Sequence, residues 1–352
     1  MPLLEIKNLV TAFHTPAGRV PAVDGVSLSI GRGKTLGLVG ESGCGKSVTA
    51  MSILGLVAAP GVIESGEILL APAAGAAAGD AVDLVSLAEP HLRKVRGGRI
   101  GMIFQEPMTS LNPVFTIGDQ IAEAVRLHRP VSRAVARARA LEMLELVRMA
   151  DPQRRLDEYP HQLSGGMRQR VVIAMALACD PDLVIADEPT TALDVTIQAQ
   201  ILDLLAALRR RLGTAILLIT HDLGVVAETC DDVAVMYAGR IVERAPAAML
   251  FANPLHPYTI GLLAARPGNV GRSGNGRNAA PLRTIPGMVP APQNFPSGCR
   301  FHPRCAYART PECGATVPEL REVSPGHFVR CSYAEALGPP VPWEQLNGSL
   351  GG

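Results

Sequence analysis

Two hydrophobic rhythms run along this chain. A two-residue alternation marks LLEIKNLV (3–10), and VDGVSLSI (23–30) resembles it; both predict strands with one buried face. TLGLVG (35–40) is a short unbroken apolar run ending in a Gly-rich turn, followed by the helical spacing of KSVTAMSILGLV (46–57). From Ile117 to Met149 apolar residues recur at intervals of three and four, which predicts helix. DLVIAD (182–187) and TAILLIT (214–220) are further unbroken apolar runs, each followed by a helical pattern. Strands apolar on both faces and separated by helices predict an α/β fold with a parallel sheet and crossovers.

The rhythm fails in three places. APAAGAAAGDAV (71–82) is low-complexity Ala/Gly and predicts a surface insertion. GNVGRSGNGRN (268–278) has no periodicity and reads as a linker. The remainder of the chain is rich in Pro and Cys, as a separate small module would be. The expected units are a domain over 1–265, a linker over 266–284, a four-cysteine module over 285–335 and a tail over 336–352.

Composition narrows the function classes. The chain has 352 residues, 47% of them hydrophobic, which is enough for a sizeable core. A net charge of +1 gives no reason to expect nucleic acid as a partner. With 29 Arg against four Lys among the 33 basic residues, single arginines carry little information. The N-terminus MPLLEIKNLV lacks a basic n-region, and runs such as VVIAMALAC fall short of a membrane span, so a cytoplasmic protein is expected. Thiols there stay reduced, which favours metal ligation over disulfides.

GESGCGKS (40–47) fits the phosphate-binding pattern G-x-x-x-x-G-K-[ST] and sits between a predicted strand and a predicted helix. Gly40, Gly43 and Gly45 let backbone N–H groups wrap phosphates, with Glu41, Ser42, Cys44 and Val48 contributing main chain. Lys46 neutralises β/γ charge, and the Ser47 hydroxyl can reach Mg²⁺. Alkylation of Cys44 is expected to block nucleotide. In DLVIADEPT (182–190), Asp187 at a buried strand end can hold Mg²⁺ through its solvation shell, and Glu188 can polarise the attacking water. LSGGMRQR (163–170) is a second anion-binding helix start, Ser164, Gly165, Gly166 and Met167, which makes sense if it caps the nucleotide of a facing subunit.

With that segment the chain resembles the ATP-binding cassette (ABC) family, whose signature sequence LSGGMRQR matches with Met167 where Gln is usual. The resemblance implies a P-loop cassette fold: a mixed core sheet, an N-terminal antiparallel β subdomain and a helical signature subdomain at about 106–178. By the same resemblance Gln105 in MIFQEPMTSLNP is the loop glutamine that senses Mg²⁺ and attacking water and touches the membrane partner. Asp194 in TTALD belongs to the loop crossing between cassettes, with Thr191 replacing the usual Ser, and His221 in LLITHDLG is the switch histidine. Phe13 is the adenine-stacking aromatic, with Val20 beside it; Val48 replaces a frequent Thr. The implied mechanism is a head-to-tail dimer of cassettes with ATP between one phosphate loop and the opposite signature, hydrolysed by in-line attack of water.

NPLHPYT (253–259) and IPGMVPAPQNFPSGCRFHPRC (285–305) resemble the C-terminal extension of the dipeptide/oligopeptide permease ATPases. That implies a peptide importer with a second, related ATPase subunit, two transmembrane permeases and, indirectly, an extracytoplasmic binding protein, on the cytoplasmic face of the inner membrane. Nickel, glutathione or another solute is the alternative cargo, and a non-transport cassette a more distant one. Cys299, Cys305, Cys313 and Cys331 suit zinc or an iron–sulfur cluster. Structural zinc usually takes a close C-x₂₋₄-C pair, absent here; wider spacing suits a bulkier cluster, and the resemblance implies a 4Fe–4S centre serving as a staple. Arg300, Arg304, Arg309 and Arg330 either offset the cluster's charge or form a solvated surface. Cys179 and Cys230 are expected to be inert buried residues.

Overall fold

The computed structural model describes residues 1–73, 79–105, 110–191, 193–265 and 284–336. The linker expected over 266–284, except Thr284, and the tail beyond Ala336 lie outside them, as do residues 106–109 at the start of the expected helical subdomain.

The alternating N-terminal segments fold as long antiparallel strands, β1 (Leu4–Thr15) and β2 (Gly18–Ile30). β3 (Thr35–Val39) carries the unbroken apolar run and is buried throughout. Next come β4 (Gly61–Leu70), β5 (Val82–Asp83) and β6 (Ile100–Ile103), then β7 (Leu183–Asp187), β8 (Ala215–Thr220), β9 (Asp232–Tyr237) and β10 (Arg240–Pro246). β11 (Arg321–Ser324) and β12 (His327–Val329) lie near the end.

These strands make two sheets among the described residues. One is antiparallel with order β2-β1-β4-β5; the other has the order β11-β12-β10-β9-β3-β8-β7-β6. In the second sheet β9, β3, β8, β7 and β6 run parallel and the β10–β12 edge runs antiparallel. The alternation of side chains explains its two covered faces. Leu183 and Ile185 of β7 join the core shared with β1, β2 and β4, while Val184 and Ala186 join the core under the helices Ile117–His128, Arg133–Leu146 and Gly165–Leu177.

Three expectations change. The helical stretch 117–149 is two helices, broken at Arg129–Ser132, where Pro130 cannot continue the first and Ser132 accepts the Val135 N–H to cap the second. The helix after the phosphate loop ends at Ile53, with Gly55 in the left-handed region two residues later. The cysteine-bearing segment is not a separate module. Its strand β12 pairs with β10 through Glu243–Val329 and Arg244–Phe328 and so extends the central sheet. Phe301 is 1% exposed in an apolar cluster with Tyr237 and Tyr258.

Candidate functional site

Four adjacent strands deliver the candidate residues to one edge of the sheet. Gly40 follows β3, His221 follows β8, Glu188 follows β7 and Gln105 comes two residues after β6, in the spatial order β3-β8-β7-β6. Ligands in open α/β sheets bind outside such carboxyl ends.

The phosphate loop is shaped by glycine. Gly40 has φ 157°, and a Cβ there would stand 2.2 Å from the Met236 carbonyl oxygen; Gly45 has φ 110°, with a Cβ 2.3 Å from that of Ala22. Lys46 is buried, and its Nζ donates to the Gly40 and Glu41 carbonyls at 2.8 and 3.1 Å. Asp187 is 3% exposed; burial raises its pKa, partly opposed by a hydrogen bond from Ser47, and its Oδ1 has no partner. A buried carboxylate oxygen left free beside a serine hydroxyl fits a hard divalent cation.

Glu188 holds a left-handed backbone, φ 45°, an expensive conformation for a non-glycine residue that functional sites retain. Its Oε2 accepts from Gln105 Nε2 at 3.1 Å and from Thr191 Oγ1 at 2.9 Å, and Oε1 lies 3.4 Å from His221 Nδ1. Gln105, Glu188 and His221 thus meet, although the outer two stand 116 positions apart in the sequence. Thr191 keeps the hydroxyl of the Ser it replaces: that hydroxyl orients Glu188, and a hydroxyl three residues after the acid is the available signal in the sequence. Gln169 gives no comparable signal. It is buried and donates to the Pro189 carbonyl at 2.6 Å, tying the helix Gly165–Leu177 to the loop after Glu188.

Phe13 and Val20 face each other across β1 and β2, and a Cβ on Gly61 would meet the Phe13 ring at 2.7 Å. β2 also carries Ala22 over Gly45, so the pair stands beside the phosphate loop. Val48 packs against the core between the sheets. Ser164 caps its helix, accepting the Met167 N–H at 3.4 Å; Ser164 and Gly165 are exposed. Asp194 caps the helix Val195–Leu212 through Ile197 N–H at 3.0 Å. Cys44 is 1% exposed and burial raises its pKa, so the expected alkylation at this thiol is overturned by lack of access and of thiolate. Burial likewise raises Cys179, and Cys230 to about 12.

Cys299, Cys305, Cys313 and Cys331 line one cavity of about 120 Å³, with His302, Phe301 and Tyr333. Burial, then mutual repulsion, pushes Cys305 up to about 12 and Cys331 to about 11. Among the described residues no three His, Cys, Asp or Glu side chains are grouped to hold a metal ion. The solvated-surface expectation for the nearby arginines fails for Arg300, Arg304 and Arg330: Arg304 is buried, the other two are partly buried, and all three heads bond within the protein. Arg300 pairs with Asp24, Arg304 with Glu41, and Arg330 donates to the Ile241 and Pro318 carbonyls. Arg309 lies over the Tyr333 ring.

Comparison with known proteins agrees with this geometry. Residues 23–191 match the ABC transporter family model, and residues 242–313 that of the oligopeptide/dipeptide transporter C-terminal region. A putative peptide import ATP-binding protein of Brucella melitensis is 53% identical over 94% of this chain and 96% of its own length. The oligopeptide transport ATP-binding protein AppD of Bacillus subtilis is 50% identical over 96% of this chain and 98% of its own. Among solved structures, a dimeric post-hydrolysis state of the ATP-binding cassette MJ0796 bound to ADP and Pi superposes with TM-score 0.60, at 28% identity, over 69% of this chain and 98% of that one.

Proposed function

Because the chain belongs to the ABC transporter ATPases of the oligopeptide/dipeptide permease family, we propose a division of labour among its residues as it hydrolyses ATP to power a peptide importer. The observation that carries the reading is the meeting of Gln105, Glu188 and His221 beside Lys46 and Asp187.

Lys46 and the loop N–H groups bind the triphosphate, and Phe13 with Val20 takes the adenine. Ser47, Asp187 and Gln105 would hold Mg²⁺, which supplies charge neutralisation at the β/γ oxygens. Glu188, kept in place by Thr191 and Gln105, accepts a proton from the attacking water, and His221 steadies the γ-phosphate side. Ser164, Gly165, Gly166 and Met167, with Asp194, serve the nucleotide of a facing cassette. The dimer of MJ0796 supports that arrangement, as does the exposed position of Ser164.

The partners we infer are a related second ATPase subunit, two membrane permeases and, through them, a peptide-binding protein. Among the described residues no helix is long and apolar enough to cross a membrane, in keeping with a peripheral subunit at the cytoplasmic face. For the four cysteines we infer an iron–sulfur cluster rather than zinc. Four sulfurs around one cavity support it, and thiols pushed upward by burial become thiolates only beside added positive charge. Cys331 lies beyond the matched C-terminal model, so its part rests on the cavity alone.

The test is reconstitution with the permeases and binding protein. ATP turnover should rise when peptide is added; turnover indifferent to peptide would refute the cargo class. A colourless preparation, purified without oxygen and holding stoichiometric zinc, would refute the cluster.

A further inference from the structure

Glu41 is electrostatically misplaced. It puts a carboxylate in a loop read as the cradle of a triphosphate, where a like charge opposes binding. Its side chain is held by a residue 263 positions away: Arg304 Nη1 donates to Oε2 at 2.8 Å and Nη2 to Oε1 at 3.0 Å, a bidentate fork. Arg304 is itself pinned. Its Nε donates to the Pro286 carbonyl at 2.8 Å, Nη2 to that of Gly287 at 3.2 Å, and Nη1 reaches the Tyr237 hydroxyl at 3.4 Å. The residue is 8% exposed.

A second hold acts on the main chain. The Glu41 N–H donates to the Tyr258 hydroxyl at 2.8 Å, and Tyr258 is buried against Tyr237 and Phe301, ring centroids 4.6 and 5.4 Å away. Arg304 is the chain neighbour of Cys305, and Phe301 lies between them and Cys299. Arg300, next to Cys299, bonds Asp24 on β2, the strand whose Ala22 covers Gly45. One segment, Cys299–Cys305, therefore braces the phosphate loop directly and the strand above it.

We propose that Arg304 and Tyr258 are positioning residues for the phosphate loop, through which the cysteine-bearing segment sets the cassette's affinity for nucleotide; this rests on reading Gly40–Ser47 as the nucleotide cradle. Arg304 cancels the Glu41 charge and Tyr258 fixes the first turn of the loop, and neither touches the reacting atoms. Removing Arg304 should weaken nucleotide binding and leave the chemical step alone.

The experiment titrates ADP into the purified full chain, wild type against Arg304→Ala, Arg304→Lys and Arg304→Ala/Glu41→Gln, with ATP turnover and thermal midpoint followed in parallel. Loss of a charge-assisted fork should raise the ADP Kd and the ATP KM of Arg304→Ala about tenfold, with kcat within about twofold. Adding Glu41→Gln should recover most of that loss, because the uncompensated charge is gone. An ADP Kd of Arg304→Ala within about twofold of wild type would overturn the inference, as would a double variant no better than the single one. Should Arg304→Ala fail to fold, Arg304→Lys, which keeps charge but not the fork, carries the test with a Kd raised about threefold, and an unchanged Kd there overturns it. A wild-type chain that binds no ADP would instead remove the nucleotide reading itself.

Discussion

The phosphate loop (Gly40–Ser47) and the signature segment (Leu163–Arg170) both present glycines at a helix N-terminus, and the glycines answer different needs. In the first, Gly40, Gly43 and Gly45 all have positive φ, and a Cβ on Gly40 or Gly45 would strike a backbone carbonyl of the chain's own sheet. In the second, Gly165 and Gly166 are helical. A Cβ on Gly166 would meet the Ile197 side chain at 2.9 Å, but one on Gly165 would find only an ordinary contact with Leu193 at 3.7 Å. Lys46 is buried in the first segment and Ser164 exposed in the second. The phosphate loop is thus complete within one chain. Nothing among the described residues requires glycine at position 165, whereas the chain's own backbone requires it at 40 and 45.

Substitutions should separate the two ends by size of effect. Glu188→Gln leaves both ends intact and removes the proton acceptor, so turnover should fall by about 10²–10⁴-fold while ATP binding persists. Gel filtration with ATP should then show a stable dimer, and a monomer would deny the signature its facing role. Gly40→Ala should cost about 1–3 kcal/mol in denaturant unfolding and abolish nucleotide binding, since the Met236 carbonyl must move. Thr191→Val removes one hydrogen bond to Glu188, about 1 kcal/mol, and should lower kcat about fivefold with nucleotide Kd unchanged. Gly165→Ala should change monomer stability by less than about 0.5 kcal/mol and ADP binding not at all, yet reduce ATP-driven dimerisation. A Gly165→Ala chain that unfolds like Gly40→Ala would erase the contrast.

The same contrast runs through the C-terminal segment. Cysteine spacing marks Cys299, Cys305, Cys313 and Cys331 as a group, and they do line one cavity. Spacing could not show that β12 would join β10, because a three-residue strand leaves no periodicity to read. Nor could it show what Arg304 binds. In a chain with many arginines one more reads as solvated surface, and its partner lies in the phosphate loop, across the whole cassette domain in sequence.

What the sequence determined by itself was local: buried strands ending in Val39, Asp187 and Thr220, a glycine loop feeding a helix, and acids and a histidine placed just past strand ends. Those features are contiguous, and hydrophobic period and turn chemistry act over a few residues. Tertiary structure alone decided which groups touch. It brought Gln105, Thr191 and His221 onto Glu188, buried Cys44 out of reach, and clamped Glu41 between Arg304 and Tyr258. Such contacts follow from strand order and side-chain packing across the sheet, which no short stretch of the chain encodes.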